Sequence, residues 1–175
     1  MKKIFKLFIY VVVFFTFFII FLPKESFYYL LEKELQKQQV IISNEDKNEK
    51  LFSFDIKNAD VFYQGINIGV IEKTDFTTYL FYTKINFDNV SFLDSLSSFA
   101  PTPIDNISIE HSILNINKIK IDAKGVFGEL SGDLNIFAKE LKIQLKASDK
   151  MKNSYSKLLK NMKFDNERYL YEYKF

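Results

Sequence analysis

The sequence lacks cysteine, which excludes disulfide-stapled folds, thiolate zinc sites and cysteine nucleophiles. A single histidine, His111, also excludes a metal site built from several histidines of one chain. Five glycines and three prolines in 175 residues are too few for a collagen-like or Gly/Pro-rich disordered chain. The net charge of +2 shows no large basic excess, so we expect no nucleic-acid partner.

A long apolar run opens the chain. Residues 4–22 read IFKLFIYVVVFFTFFIIFL, and Lys6 is the only charge among them. As a helix this run would measure roughly 28 Å, close to the thickness of a bilayer core. Lys2, Lys3 and Lys6 stand on its N-terminal side and, by the positive-inside rule, would keep that end in the cytoplasm. We therefore predict a single transmembrane anchor over residues 1–22, with the remainder of the chain outside the cytoplasm.

A cleaved signal peptide is the alternative for this segment. Signal peptides need small residues before the cleavage point and usually a shorter apolar run. Here the run ends in FIIFLPKES, with bulky residues where small ones are required. The pattern favours an anchor that is kept.

An amphipathic helix is predicted to follow over residues 23–39, with its core at about 24–38. Phe27, Leu30, Leu31 and Leu35 recur at helical spacing, while Glu and Lys alternate around them. Pro23 suits the first turn of such a helix. We expect the apolar stripe, through Phe27, Leu30 and Leu31, to dock on the domain that follows. Lying flat on the lipid surface is the other possibility.

From residue 40 to the end the apolar period changes to two, which indicates β-strands with one wet face. Clear alternation occurs around residues 52–57, 66–70, 76–82, 107–113, 119–123 and 141–146. The phase slips at Asp88-Asn89, which predicts a bulge or tight turn. The stretch 95–103 carries two prolines and predicts a loop or crossover. We predict a mainly β domain over residues 40–175, with about nine strands in a curved antiparallel sheet, either an open groove or a barrel-like meander.

Glycines and one helix complete the predicted domain. Gly125, Gly128 and Gly132 punctuate the strand pattern and are expected to shape the sheet rather than bind phosphate, because no phosphate-loop ending follows. A single C-terminal helix is predicted after Ser148, a suitable N-cap, and its lysine-rich face could meet either solvent or anionic lipid. The final segment RYLYEYKF places Tyr169, Tyr171 and Tyr173 on one side of a strand. That stripe is either a partner surface or part of the core.

No catalytic arrangement emerges from the sequence. His111 lies on an apolar strand face, and Ser108 and Ser112 point to the opposite face, so no nucleophile and base meet. The aspartates are scattered and alternate with apolar residues, as on the wet face of a sheet. We expect no enzyme activity, no metal and no cofactor. The amphipathic strands could instead form an apolar groove for lipid, lined by Ile119, Ile121, Ile143 and Leu145.

The chain resembles GspN, the type II secretion system protein N family, in the shorter form of that family. The resemblance is carried by the basic N-terminus and apolar run, FLPKESFYYLLEKEL, IKNADVFYQGINIG, FAPTPID, SILNINKIKIDAKGVFGELSGDLNIF and YSKLLKNMKFDNERYLYEY. The segment KIDAKGVFGELSGDLNI also resembles strands of AsmA-type lipid-bridging proteins. The first resemblance implies a non-enzymatic protein of the bacterial inner membrane with a periplasmic body, which contacts other secretion or envelope-assembly proteins. The second implies a lipid-binding β-groove of the AsmA or LptC kind.

Overall fold

The structure is a computed structural model that describes residues 2–21, 24–50, 53–79, 81–93, 96 and 101–175. These residues include four α-helices. They are α1 (Lys2–Ile20), α2 (Lys24–Lys37), α3 (Asp149–Ser154) and α4 (Ser156–Leu159). The same described residues include eleven strands. They are β1 (Val40–Ser43), β2 (Asp46–Glu49), β3 (Ser53–Tyr63), β4 (Ile66–Tyr79), β5 (Tyr82–Phe92), β6 (Ile104–Ser112), β7 (Lys118–Gly125), β8 (Gly128–Asn135), β9 (Glu140–Ala147), β10 (Lys163–Asp165) and β11 (Arg168–Lys174).

The strands form one open antiparallel sheet in the order β1-β3-β4-β5-β6-β7-β8-β9-β11-β10, and β2 also pairs with β3. Neighbours in the sheet are mostly neighbours in sequence, because short turns join them. Asn166 and Glu167, which connect β10 to β11, both have positive φ, at 45° and 63°, as a two-residue hairpin turn of matching twist requires. The predicted mainly β, antiparallel fold is confirmed, with an open sheet rather than a closed one and eleven strands rather than about nine.

Strands β3 and β5 each change face at an asparagine with positive φ, and the change in β5 lies at the predicted phase slip. Asn89 in β5 has φ at 52°, and Phe87 and Val90 on either side of it point to the same face of the sheet. Asn58 makes the same change in β3, with φ at 55°, between buried Ile56 and buried Ala59. Asparagine accepts this left-handed conformation more readily than most residues. The apolar side therefore continues across the irregularity.

The first of two cores lies where α2 packs on β3 and β4. Tyr28 on α2 is 1% exposed and lies against Phe54 and Phe76, with ring centroids 5.6 and 6.1 Å away. Ile56 and Ala59 of β3 complete the buried set. The predicted helix is confirmed, and buried Tyr28 docks it, while Leu31, as predicted, and Leu35 line an apolar cavity between the helix and the sheet. Leu30 is 65% exposed, which contradicts its predicted docking role, and the side chain of Phe27 lies outside the described set.

The second core lies at the other end of the sheet, under α3 and α4. Its buried members are Phe127, Leu145, Ala147, Met151 and Leu159. Ser148 caps α3, as predicted, by accepting a hydrogen bond from the Met151 amide at 3.0 Å. The single predicted helix is instead two short helices, because Asn153 and Ser154, both weak helix formers, end the first of them.

The N-terminal helix α1 exposes its apolar side chains, and neither core contains one of its residues. Among the described residues, no helix combines the length and the apolar character needed to cross a bilayer. The helix predicted in this segment is present. The transmembrane assignment given to it is unsupported. The predicted loop at 95–103 lies largely outside the described residues, with Pro101–Pro103 in irregular structure.

Candidate functional site

The apolar side chains of the sheet share one face from β3 to β11. Directly paired residues in antiparallel strands point to the same side, so the register can be followed across the sheet. One row runs through Phe54, Phe76, Ile85, Ile109, Ile121, Gly132, Ile143 and Tyr171. The next row runs through Ile56, Thr74, Phe87, Ile107, Ala123, Leu130, Leu145 and Tyr169. The sheet thus has an apolar side that spans nearly its whole width.

Within the part of the chain that the structure describes, the cores bury only the two ends of this side. Between them lies a stretch that we call the central apolar face. It consists of Ile85, Phe87, Ile107, Ile109, Ile119 and Ile121, all of which are half-buried. Burial of apolar surface is favourable by about 25 cal/mol per Å², so a binding partner that covered this face would gain from it.

A cavity of about 450 Å³ opens beside the second core, which we call the C-terminal core. Ile143 and Leu145 of β9 form part of its wall, together with Tyr171 of β11. Met151, Leu158 and Met162 enclose it from the helical side. Among the described lining residues none is charged, so the cavity suits an apolar group.

The predicted lipid groove and the predicted partner surface are one surface. Tyr169 pairs with Leu145, Tyr171 with Ile143, and Tyr173 with Leu141. The tyrosines therefore share the side of the sheet that holds Ile119 and Ile121. These two sets look separate in the sequence because nothing in the local pattern shows that β11 pairs with β9.

Gly132 leaves a notch in the row between Ile121 and Ile143, its two paired neighbours. A Cβ at this position would lie 3.2 Å from the backbone oxygen of Lys142 and 3.6 Å from Cγ1 of Ile143. Because Gly132 has no side chain, the apolar side of the sheet is recessed at this position, next to Ile143 of the cavity wall. Gly125 and Gly128 pair with each other at the end of the β7–β8 hairpin and shape the turn.

The opposite side of the sheet is polar and is held together by charge pairs. Lys84 contacts Glu110 at 2.9 Å, and Lys124 contacts Glu129 at 3.2 Å. His111 is on the apolar side, where its Nε2 lies 3.3 Å from the carbonyl oxygen of Ile116. Within the described residues no cluster of three or more His, Cys, Asp or Glu side chains is arranged to hold a metal.

The buried carboxylate Asp55 is the feature that most resembles an acid–base group. It is 2% exposed and pairs across the strands with Asp75, while Lys50 and Lys73 form ion pairs with the two carboxylates. Burial raises the pKa of Asp55, but the hydrogen bond and charge of Lys50, together with the charge of Lys73, hold that pKa below its usual value. An ionised, lysine-paired aspartate at neutral pH has a structural role.

Replacing Lys50 with Met is expected to lower the free energy of unfolding by about 1–3 kcal/mol at neutral pH, because it leaves a buried carboxylate without its cation. Folding lowers the pKa of Asp55, so its ionisation stabilises the fold above the unfolded-state pKa of about 3.9 and ceases to do so as pH falls through the folded-state value. The difference between wild type and variant in urea unfolding should therefore shrink in acid.

The matched control is Lys37→Met. Lys37 and Glu34 form an ion pair at 2.6 Å with side chains 61% and 64% exposed, so little stability should be lost. An effect of Lys50→Met that is equally large in acid would contradict the assigned role of Asp55.

The lysines predicted to orient the N-terminus lie at the start of α1. Lys3 and Lys6 are exposed, and the Lys6 ammonium lies 5.9 Å from the ring centroid of Tyr10. The side chain of Lys2 is outside the described set. These basic groups and the apolar surface of α1 form a second region, separate from the sheet, that is suited to association.

These surfaces are suited to binding: an apolar sheet side with one cavity beside α3 and α4 and another under α2, and an exposed apolar helix. The burial of Tyr28 and of Asp55 and the presence of the cavity beside α3 and α4 could not be predicted from the sequence, because each depends on which strands and helices become neighbours. Comparisons with models of protein families, with curated proteins and with solved structures found no match to this chain.

Proposed function

We propose that this protein is a non-enzymatic, membrane-attached component of a secretion or envelope-assembly machine, and that it acts by binding a protein segment on its central apolar face. The observation that carries the proposal is the apolar side of the sheet, which, among the described residues, the two cores cover only at its ends. An amphipathic segment of a partner would bury this face and keep its polar side in water.

Helix α1 supports the membrane part of the proposal. Its apolar side chains from Ile4 to Phe18 are exposed, and Ile4 reaches 74%. Contact with lipid would remove this apolar surface from water and so lower the free energy of the protein. Lys3 and Lys6 would meet anionic head groups at the start of the helix.

Lipid binding is the second candidate function. The cavity beside Ile143 favours it, because its volume of about 450 Å³ and its uncharged wall suit part of an acyl chain. In this version the central apolar face continues the cavity as a groove.

Photocrosslinking in cells tests both functions. A photoreactive residue at Ile121 lies on the central apolar face, and one at Lys120 lies on the polar side, one residue away. We expect a protein adduct several-fold stronger from position 121 than from position 120. A lipid adduct from position 121 would establish the second candidate instead. Equal labelling from the two positions, or none at 121, would contradict a binding role for this face.

A further inference from the structure

The outer side of β11 carries backbone groups that face away from the rest of the sheet. The amide of Phe175 donates a hydrogen bond to the carbonyl of Lys139 at 3.0 Å, on the β9 side. Hydrogen-bonding direction alternates along a strand, so Tyr173 and Tyr171 also face β9. The backbone groups of Glu172 and Lys174 therefore point outwards.

The neighbouring strand β10 covers only part of this edge. It pairs with β11 from Arg168 to Leu170 and extends no further along it. Among the described residues, no strand pairs with Glu172 or Lys174 on the outer side. Their side chains are 67% and 76% exposed, so the edge is open to another strand.

The edge is complementary to itself. When two copies of the segment Glu172-Tyr173-Lys174 run antiparallel and are centred on Tyr173, each glutamate faces a lysine and the tyrosines face each other. Glu172 and Lys174 are also the residues whose backbone groups point outwards. The pairing of opposite charges and the outward direction of the backbone groups therefore favour the same register.

We propose that β11 pairs with β11 of a second copy of this chain, antiparallel about a two-fold axis at Tyr173. The outward amides and carbonyls of Glu172 and Lys174 then form hydrogen-bonded pairs with Lys174 and Glu172 of the second copy. This is an isologous interface, in which each copy supplies the same surface, so the assembly closes as a dimer.

Aromatic side chains line the apolar side of this pairing. Tyr173, 52% exposed, faces its own counterpart in the closer, non-hydrogen-bonded type of pair. Tyr171 comes to face Phe175 of the second copy, and Phe175 is 59% exposed in the single chain. Aromatic cross-strand pairs stabilise antiparallel sheets, and here they join the apolar sides of the two copies.

Charge reversal tests the register. With the full chain in a mild detergent, we expect a concentration-dependent monomer–dimer equilibrium in analytical ultracentrifugation. Glu172→Lys or Lys174→Glu alone places like charges opposite each other and should weaken dimerisation by about tenfold or more. The double variant with both changes restores opposite charges and should recover dimerisation. If neither single change weakens dimerisation, the dimer uses another surface, such as α1, and the proposal is overturned.

A cysteine scan provides a second test, because the natural chain has no cysteine. Tyr173→Cys places two thiols opposite each other, at a Cα separation near 4.5 Å that a disulfide can bridge. We expect an oxidised, reducible dimer on non-reducing gels. Glu172→Cys faces Lys174 rather than itself, and Leu114→Cys, 85% exposed, lies elsewhere, so both should stay largely monomeric. Equal crosslinking at all three positions, or none at 173, would refute the two-fold at Tyr173.

Discussion

Replacement of Tyr28 with Ala is expected to lower the free energy of unfolding by about 3–5 kcal/mol. The ring is 1% exposed and fills the space between α2 and the aromatic pair Phe54 and Phe76. Its hydroxyl donates to Glu45 at 3.2 Å, and the Lys47 ammonium lies 4.9 Å from its ring centroid. Truncation removes all of these contacts and enlarges the cavity of about 270 Å³ that lies where the helix meets the sheet. Urea unfolding followed by circular dichroism measures the loss.

Tyr29→Ala is the control, because Tyr29 is the next residue on the same helix and is 49% exposed. It should cost much less than Tyr28→Ala. Tyr28→Phe keeps the packing and removes the hydroxyl, so we expect a loss of about 0.5–1.5 kcal/mol. Similar losses for the Tyr28 and Tyr29 alanine variants would mean that α2 is not docked through Tyr28.

Replacement of Gly128 with Ala is expected to be comparably damaging, at about 2–5 kcal/mol. Gly128 has φ of 110°, a conformation that L-residues rarely adopt. An added Cβ would also overlap the backbone oxygen of Lys146 and come within 2.8 Å of the Ser148 amide. The clash is with backbone in the neighbouring strand, so β8 and β9 would have to separate at the place where α3 begins. Thermal and urea unfolding both report the effect.

Gly65→Ala separates the two causes of this loss. Gly65 has φ of 79° in the β3–β4 turn, and nothing lies within 4 Å of the position that a Cβ would take. The substitution carries backbone strain without a clash, so we expect a loss of about 1–2 kcal/mol. If Gly65→Ala is as damaging as Gly128→Ala, the close approach to Lys146 contributes nothing.

The strand pattern could be predicted from the sequence because one side of the sheet is apolar and the other is wet. Period-two alternation in residues 119–123 and 141–146 follows directly from that difference. The phase slip at Asn89 was visible for the same reason, since Phe87 and Val90 had to share one side. The matching reversal at Asn58 is harder to predict, because a charged and polar stretch hides it.

Pairing between strands was beyond the local pattern. Alternation shows which residues share a side of one strand, but it does not show which strands are neighbours. In the sequence, the tyrosines of β11 therefore look like a surface separate from Ile143 and Leu145. In the sheet, Tyr171 and Tyr169 lie directly opposite these two residues. Strands β1, β2 and β10 are only three or four residues long, too short for periodicity to reveal with certainty.

The shared side of Ile119, Ile121, Ile143 and Leu145 could be predicted from the sequence, because strand alternation alone determines it. Their surroundings differ: Leu145 is 3% exposed within the C-terminal core, while Ile121 is half-buried on the central apolar face. Helix packing decides this difference, and a strand's own sequence does not encode where a distant helix will dock. Asp55 is the converse case, a charged residue whose burial depends on Lys50 and on strand neighbours.

The sequential order of β3 to β9 has an evolutionary consequence. Each hairpin in this stretch touches mainly the strands before and after it, so a hairpin gained or lost in the middle would leave both helix-capped ends intact. Adjacent strands lie about 4.8 Å apart, so every added hairpin would lengthen the molecule by roughly 10 Å. The number of strands therefore determines the distance between the two helix-capped ends of the sheet.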